Sequence, residues 1–217
     1  MNHAGQRDVV VEICRRMYSR GLISGGQGNV SVRLDDGTML ITPSGVNKGF
    51  LGPRDLVLAD MTGRRLDVPE NDGVVSSEVK VHLAAYAARP ACRSVVHAHP
   101  VASVALTLAG IGLENVYVPE SAITLGIVPT GTYATPSSVE LAEGVGALAR
   151  SHNVIMMARH GAVCLGADPF DAYDCLESLE HTARIILLAR LAGTPTALDD
   201  SEVGRLLHMG DSIRRLH

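Results

Sequence analysis

The sequence predicts an α/β domain of three layers, with helices on both sides of a central mixed, mostly antiparallel sheet. Three observations carry this expectation. Short runs that alternate apolar and polar residues are interleaved with runs of helical periodicity along the whole chain. Several of the strand-like runs are joined by tight turns such as Asp35-Asp36-Gly37, which pair neighbours antiparallel. The 217 residues carry no internal repeat, linker or low-complexity segment and suit one domain, residues 1–217.

Residues 9–20 read as a helix, with Val10, Ile13, Cys14 and Met17 on one stripe and Gly21 at its end. The glycine-rich loop Ser24-Gly25-Gly26-Gln27-Gly28-Asn29 leads into a strand over 30–34, and the turn at 35–37 returns as a strand over 38–42. A polar loop over 43–49 precedes a strand at 56–60, and the charged stretch 67–75 reads as an exposed loop. Ser76 is placed to cap a helix over 77–89, with Val79, Leu83, Tyr86 and Ala87 inward and Pro90 as its stop.

Residues 91–99 read as a strand and 101–109 as a short helix ended by Gly110. The stretch 116–119 reads as extended and 123–130 as a further strand. Ser137 and Glu140 form a capping-box pattern for a helix to residue 150. Two strands, 154–158 and 162–165, flank His160-Gly161. Asp168 as cap and Pro169 as first helical residue open the longest helix, which ends near Gly193. Its residues Phe170, Tyr173, Leu176, Leu179, Ala183, Ile186 and Leu187 recur at core-facing spacing, and a short helix starts near Ser201.

Composition narrows the function classes. A net charge of −4 argues against a broad nucleic-acid surface. No apolar run is long enough to span a membrane, and the first eight residues lack the form of a signal peptide. Four scattered cysteines without a Cys-x-x-Cys pair read as reduced thiols of a cytoplasmic protein. With no tryptophan and few aromatics, the core is aliphatic and alanine-rich.

Two patterns point to chemistry. In Val95-Val96-His97-Ala98-His99-Pro100 the histidines stand at i, i+2, so on an extended chain both imidazoles face the same side, as two ligands of one metal would. Three loops, at Gly28-Asn29, Ser44-Gly45 and Ser76-Ser77, pair small side chains with free donors, and the third opens a helix. Helix N-termini and glycine-rich backbone bind anions, so converging loops would cradle a phosphate, with Lys48 adding charge.

The ordered set Gly-Gln-Gly-Asn-Val-Ser (26–31), Ile-Thr-Pro-Ser-Gly (41–45), Ser-Ser-Glu (76–78), Val-Val-His-Ala-His (95–99), Tyr-Ala-Thr-Pro (133–136) and His-Gly (160–161) resembles the class II aldolase/adducin family. The resemblance implies that His97, His99 and His160 ligate a zinc ion. Glu78 would be the fourth ligand of the empty site and the acid/base once substrate binds. Gly28, Asn29, Ser44, Gly45, Ser76 and Ser77 would hold the substrate phosphate. It implies a homotetramer with sites between subunits and a tyrosine from the neighbouring subunit as proton donor; Tyr117 is the candidate, with Glu120 in reserve.

The implied activity is reversible cleavage of a ketose 1-phosphate, of the L-fuculose 1-phosphate kind, into dihydroxyacetone phosphate and an aldehyde such as L-lactaldehyde. A sugar-phosphate 4-epimerase of the L-ribulose 5-phosphate kind is the alternative; those resemble this chain but typically carry Asp where Glu78 stands. A dehydratase or decarboxylase of the family ranks behind both. It stays open because the family's aldolases place a second tyrosine in the C-terminal tail and this chain has none after Tyr173. A non-catalytic module of the adducin kind would have lost the metal ligands that are all present here. Imidazole-rich ligation suits other divalent ions besides zinc.

Overall fold

The computed structural model describes residues 3–66 and 73–211. The loop predicted over 67–75 falls mostly outside the described residues, as does the chain beyond 211. Seven strands form one sheet: β1 (Asn29–Arg33), β2 (Thr38–Ile41), β3 (Val57–Asp60), β4 (Ser94–Ala98), β5 (Thr130–Gly131), β6 (Val154–Met157) and β7 (Gly161–Gly166). Their order is β3-β2-β1-β4-β7-β6-β5. Every neighbouring pair is antiparallel except β5 with β6. This is the mixed, mostly antiparallel sheet that the sequence predicts.

Among the described residues seven α-helices cover it: α1 (Ala4–Ser19), α2 (Val79–Ala88), α3 (Val101–Leu108), α4 (Pro119–Leu125), α5 (Val139–Ala149), α6 (Pro169–Ala192) and α7 (Asp200–Gly210). Alternation along the strands divides the core in two. Val30, Val32, Val96, Ala98, Met156 and Cys164 pack with α1, α3 and α6 on one face. Met39, Val95, Ile155, Val163 and Leu165 pack with α2 and α5 on the other. Burial on both faces is why the central strands read as nearly continuous apolar runs.

The strand predicted over 123–130 is corrected. Residues Pro119–Leu125 form α4, with Pro119 at its first position and Glu120 in its first turn. Ser121, Ala122 and Leu125 are its buried residues, a spacing that fits a helix and not a strand. The β-branched run before it covers only the approach: Val118, the N-cap residue, is extended. At α5 the cap is Ser138, whose side chain accepts from the Leu141 N–H, and not Ser137. Asp168 does cap α6, accepting from the Asp171 N–H, with Pro169 following.

One buried carboxylate on α6 fixes the chain just past His99. Glu180 is 3% exposed. It accepts from the backbone N–H groups of Ala102 and Ser103 and from the Ser103 hydroxyl, each at 3.0 Å. These are orphan donors of the first turn of α3, so Glu180 caps that helix from a neighbouring one. Glu180→Ala strands them and is expected to cost roughly 3 kcal/mol, read as a lower midpoint in chemical denaturation.

Candidate metal and anion site

β4 lies at the centre of the sheet with β1 and β7 on either side, and His97 is paired with Asn29 across one ladder and with Val163 across the other. His99 stands one residue past the strand, still on the side of His97. The tight β6–β7 connection delivers His160, and the approach to α2 delivers Glu78. Glu78 occupies the N-cap position of α2 without capping it. Its carboxylate turns instead to the histidines, and Ser76 takes the cap-like role by accepting from the Glu78 N–H at 3.3 Å. The cap predicted for Ser76 is thus an interaction with the residue before the helix.

Ligand atoms of Glu78, His97, His99 and His160 all lie within 4.8 Å of one another. His97 Nε2 is 2.9 Å from Glu78 Oε2 and 3.0 Å from His99 Nε2, and His160 Nε2 is 3.3 Å from Glu78 Oε1. Four ligands around an ion at about 2.1 Å would stand about 3.4 Å apart, so little adjustment is needed.

The donor set itself tests whether a cation fits. His97 Nδ1 is 2.9 Å from the Ala162 carbonyl oxygen, which only accepts, so Nδ1 carries the proton. With Nδ1 protonated, a neutral His97 presents a lone pair at Nε2 to the Glu78 carboxylate. Two acceptors at 2.9 Å require a cation or a proton between them. Glu78 Oε1 and His160 Nδ1 are also buried with no hydrogen-bond partner among the described residues. These residues fit a divalent cation.

Electrostatics keep the ligands in their binding forms. Burial pushes the His99 ring down to about 3, and the neighbouring His97 adds to the shift. Burial and His97 lower His160 as well. Burial works to raise the Glu78 carboxyl, but His97, His160 and the Asn29 amide outweigh it and hold it well below the usual carboxylate range.

Glu78, His99 and His160 open on a cavity of about 280 Å³, with His97 buried behind them. All six residues predicted for an anion, Gly28, Asn29, Ser44, Gly45, Ser76 and Ser77, line it together with Glu78, His99 and His160. Gly28 is held at a positive φ of 70°, and a Cβ there would meet the His97 carbonyl oxygen at 2.9 Å and Ile23 Cγ2 at 2.6 Å. Only glycine lets this loop lie against the strand carrying the histidines.

Lys48 lines the same cavity, the one lysine or arginine to do so among the described residues. It is 2% exposed, and its Nζ donates to the Gly26 and Val46 carbonyls at 2.9 and 2.7 Å, tying two of the loops together. Pro136 and Ser137 complete the wall. Ser137, released from capping, sits at a left-handed φ of 65°. A non-glycine residue held there is strained, a common mark of functional sites. Neither Tyr117 nor Glu120 lines the cavity within one chain. Tyr117 is half-buried against the α1/α3/α6 core, and Glu120 is exposed at the start of α4.

The profile of the class II aldolase and adducin N-terminal domain matches residues 8–187. The chain belongs to the class II aldolase/adducin family. Over 217 aligned residues it is 35% identical to the 3-oxo-tetronate 4-phosphate decarboxylase of Haemophilus influenzae, covering 97% of this chain and 100% of that protein. It is 34% identical over 178 residues to the L-fuculose phosphate aldolase of Methanocaldococcus jannaschii, covering 82% and 93%. The crystal structure of YgbL from Klebsiella pneumoniae superposes with a TM-score of 0.86 at 31% identity over 95% of this chain and 99% of that one. Family members catalyse lyase, decarboxylase and epimerase reactions, and class II aldolases use a divalent metal.

Sequence reading missed His82, Ser31 and Tyr86, which hydrogen bonds link to Asn29 behind Glu78. Asn29 Nδ2 donates to Glu78 Oε2 at 3.1 Å, and its carboxamide oxygen meets His82 Nε2. The available signal was the i, i+4, i+8 spacing of Glu78, His82 and Tyr86.

His82 also gives the metal-free protein a pH dependence. Burial, with His97 adding, lowers its ring from 6.5 to about 3. Between those values the unfolded chain binds the extra proton, so stability rises with pH through that window. From pH 7 to pH 5 the His82 contribution is expected to fall by about 2 kcal/mol, measured as urea-unfolding free energy of the chelated protein. His99 and His160 act in the same direction.

Proposed function

We propose that this protein is a divalent-metal-dependent lyase that forms dihydroxyacetone phosphate by decarboxylating a 3-oxo-tetronate 4-phosphate. One observation carries the reading: a single cavity among the described residues joins the Glu78–His97–His99–His160 cluster to the three loops at Gly28-Asn29, Ser44-Gly45 and Ser76-Ser77. A phosphate held by Gly28, Asn29, Ser44, Gly45, Ser76 and Ser77 would present the carbonyl end of a short chain to that cluster. Binding energy from the remote phosphate then orients the reacting carbons.

A bound cation, with zinc proposed as the natural one, would supply Lewis-acid polarisation of the substrate carbonyl. His97, His99 and His160 would hold it. In the reaction the C1–C2 bond breaks, CO2 leaves, and the electron pair passes to C2 and the adjacent carbonyl as an enediolate. One proton delivered to C2 completes dihydroxyacetone phosphate. Solvent supplies the proton, and Glu78 is assigned to pass it to C2, since its Oε1 has no partner among the described hydrogen bonds.

Decarboxylation is placed ahead of aldol cleavage for two reasons. The likeness to the Haemophilus influenzae decarboxylase runs the length of both chains. Departing CO2 also takes no hydroxyl proton, so the reaction needs no acid/base at the far end, where this chain lacks a tail tyrosine after Tyr173. The second reading is retro-aldol cleavage of a ketose 1-phosphate of the L-fuculose 1-phosphate kind, releasing an aldehyde such as L-lactaldehyde. The Methanocaldococcus jannaschii aldolase favours it. That reaction would draw Tyr117, or Glu120, from a neighbouring subunit of the proposed homotetramer. Leu188 and Leu191, 66% and 85% exposed at the end of α6, offer apolar surface for such an assembly.

The test is a panel of 3-oxo-tetronate 4-phosphates, ketose 1-phosphates and L-ribulose 5-phosphate, with dihydroxyacetone phosphate, CO2 and epimerised pentose measured separately. Paired release of dihydroxyacetone phosphate and CO2 supports decarboxylation. Aldehyde release in its place moves the assignment to the aldolase, and epimerised pentose overturns both. Lys48→Met is expected to raise KM for the phosphorylated substrate roughly 10–100-fold and to alter kcat less, because it removes a buried cation from the phosphate end.

A further inference from the structure

Behind Glu78 runs a line of buried polar groups of which the proposed reaction uses only Asn29. Glu78, His82 and Tyr86 stand at i, i+4 and i+8 along α2 and its approach, so they form one row. Asn29 and Ser31 stand at i, i+2 on one face of β1. Four helical residues rise about 6 Å and two strand residues about 6.6 Å, so the rows interdigitate. Asn29 Nδ2 donates to Glu78 Oε2 at 3.1 Å, and Asn29 Oδ1 meets His82 Nε2. Ser31 Oγ is 2.7 Å from His82 Nδ1 and 2.7 Å from the Tyr86 hydroxyl. His82 and Ser31 are 0% exposed, and the row is set in an otherwise apolar layer.

The proton positions along this row follow from its end. A carboxylate only accepts, so Asn29 must turn its NH2 edge to Glu78 and its oxygen to His82. That oxygen requires a proton on His82 Nε2. A neutral His82 ring then accepts at Nδ1 from the Ser31 hydroxyl, and the Ser31 oxygen accepts from Tyr86. The reverse order would set two acceptors against each other at Asn29 and at Glu78. Burial opposes a charged His82 ring, which would otherwise supply protons at both nitrogens.

We propose that His82 is a positioning residue: backed by Ser31 and Tyr86, it locks the Asn29 carboxamide with its N–H edge on Glu78 and so aims that carboxylate at the three histidines. The proposal rests on the reading of Glu78 as the reacting carboxylate. An apolar side chain at 82 would leave the Asn29 oxygen without its donor and let the amide rotate.

Two measurements test it. NMR of isotope-labelled histidine in the wild-type, metal-free protein is expected to show His82 neutral with the proton on Nε2. A proton on Nδ1 overturns the proposal whatever reaction the enzyme performs, because no substrate is involved. In metal-loaded protein, His82→Leu is expected to lower kcat roughly 10–100-fold with KM little changed, and His82→Gln, which keeps an N–H donor towards Asn29, to recover most of it. Wild-type kcat in folded His82→Leu overturns the proposal, as does a loss that His82→Gln shares in full. If His82→Leu does not fold, the tautomer measurement decides alone.

Discussion

Glu78→Gln is expected to lower kcat by roughly 10²–10⁴-fold while the protein still binds its metal. The substitution is nearly isosteric. It leaves an oxygen to accept from Asn29 Nδ2, and it leaves His97, His99 and His160 as three neutral imidazole ligands. What it removes is a group that exchanges a proton. The loss therefore falls on kcat, and metal per subunit, measured by elemental analysis, stays near the wild-type value. Near-normal turnover would remove Glu78 from the chemistry and take with it the proton assignment made above. Loss of metal in parallel with activity would recast Glu78 as a ligand alone.

Gly161→Ala is expected to dismantle the site from the opposite side. Gly161 opens β7 directly after His160. A Cβ at this position would meet the Ala98 carbonyl oxygen at 2.2 Å, His99 Cδ2 at 2.8 Å and His97 Cε1 at 3.1 Å. The first contact is with backbone of a paired central strand, which cannot give way without breaking the Ala98–Ala162 register. The other two are with ligand rings, which would be pushed off their common centre. Overpacking of this kind costs about 1–3 kcal/mol, and the displaced rings would no longer converge on one ion. The expected result is a lower thermal midpoint together with loss of stoichiometric metal. Gly144→Ala on α5, where a Cβ meets nothing within 4 Å, is the control. It is expected to be neutral or mildly stabilising, as alanine is in a helix.

Part of this candidate site is legible from local rules, while Glu78 and His160 enter it through the family resemblance. His97 and His99 share a side because a strand alternates, and Gly28 and Gly161 are glycines because backbone or ring atoms press on them. Asp168 and Pro169 open α6 as their positions predict. The failures are where tertiary context decides. The stretch 123–130 reads as a strand, with β-branched Ile123, Thr124, Ile127 and Val128, yet residues Pro119–Leu125 form α4. The capping pattern at Ser137 falls one residue short of the true cap, Ser138, and Ser137 instead stands strained in the cavity wall. Glu180 looked like one more residue of a long helix; its role exists only because the start of α3 lies against α6. The His82 row needs both the helical spacing of 78, 82 and 86 and the knowledge that α2 packs on β1. Only the first is in the sequence.

One metal-dependent centre, built on Glu78, His97, His99 and His160, is proposed to break a carbon–carbon bond and yield dihydroxyacetone phosphate. The rate of dihydroxyacetone phosphate release from a 3-oxo-tetronate 4-phosphate, measured on one preparation before chelation, after chelation, and after stoichiometric zinc is returned, tests this most directly. Release is expected to stop with chelation and to return with the metal, in step with metal content per subunit. Release that persists in fully stripped protein would contradict it.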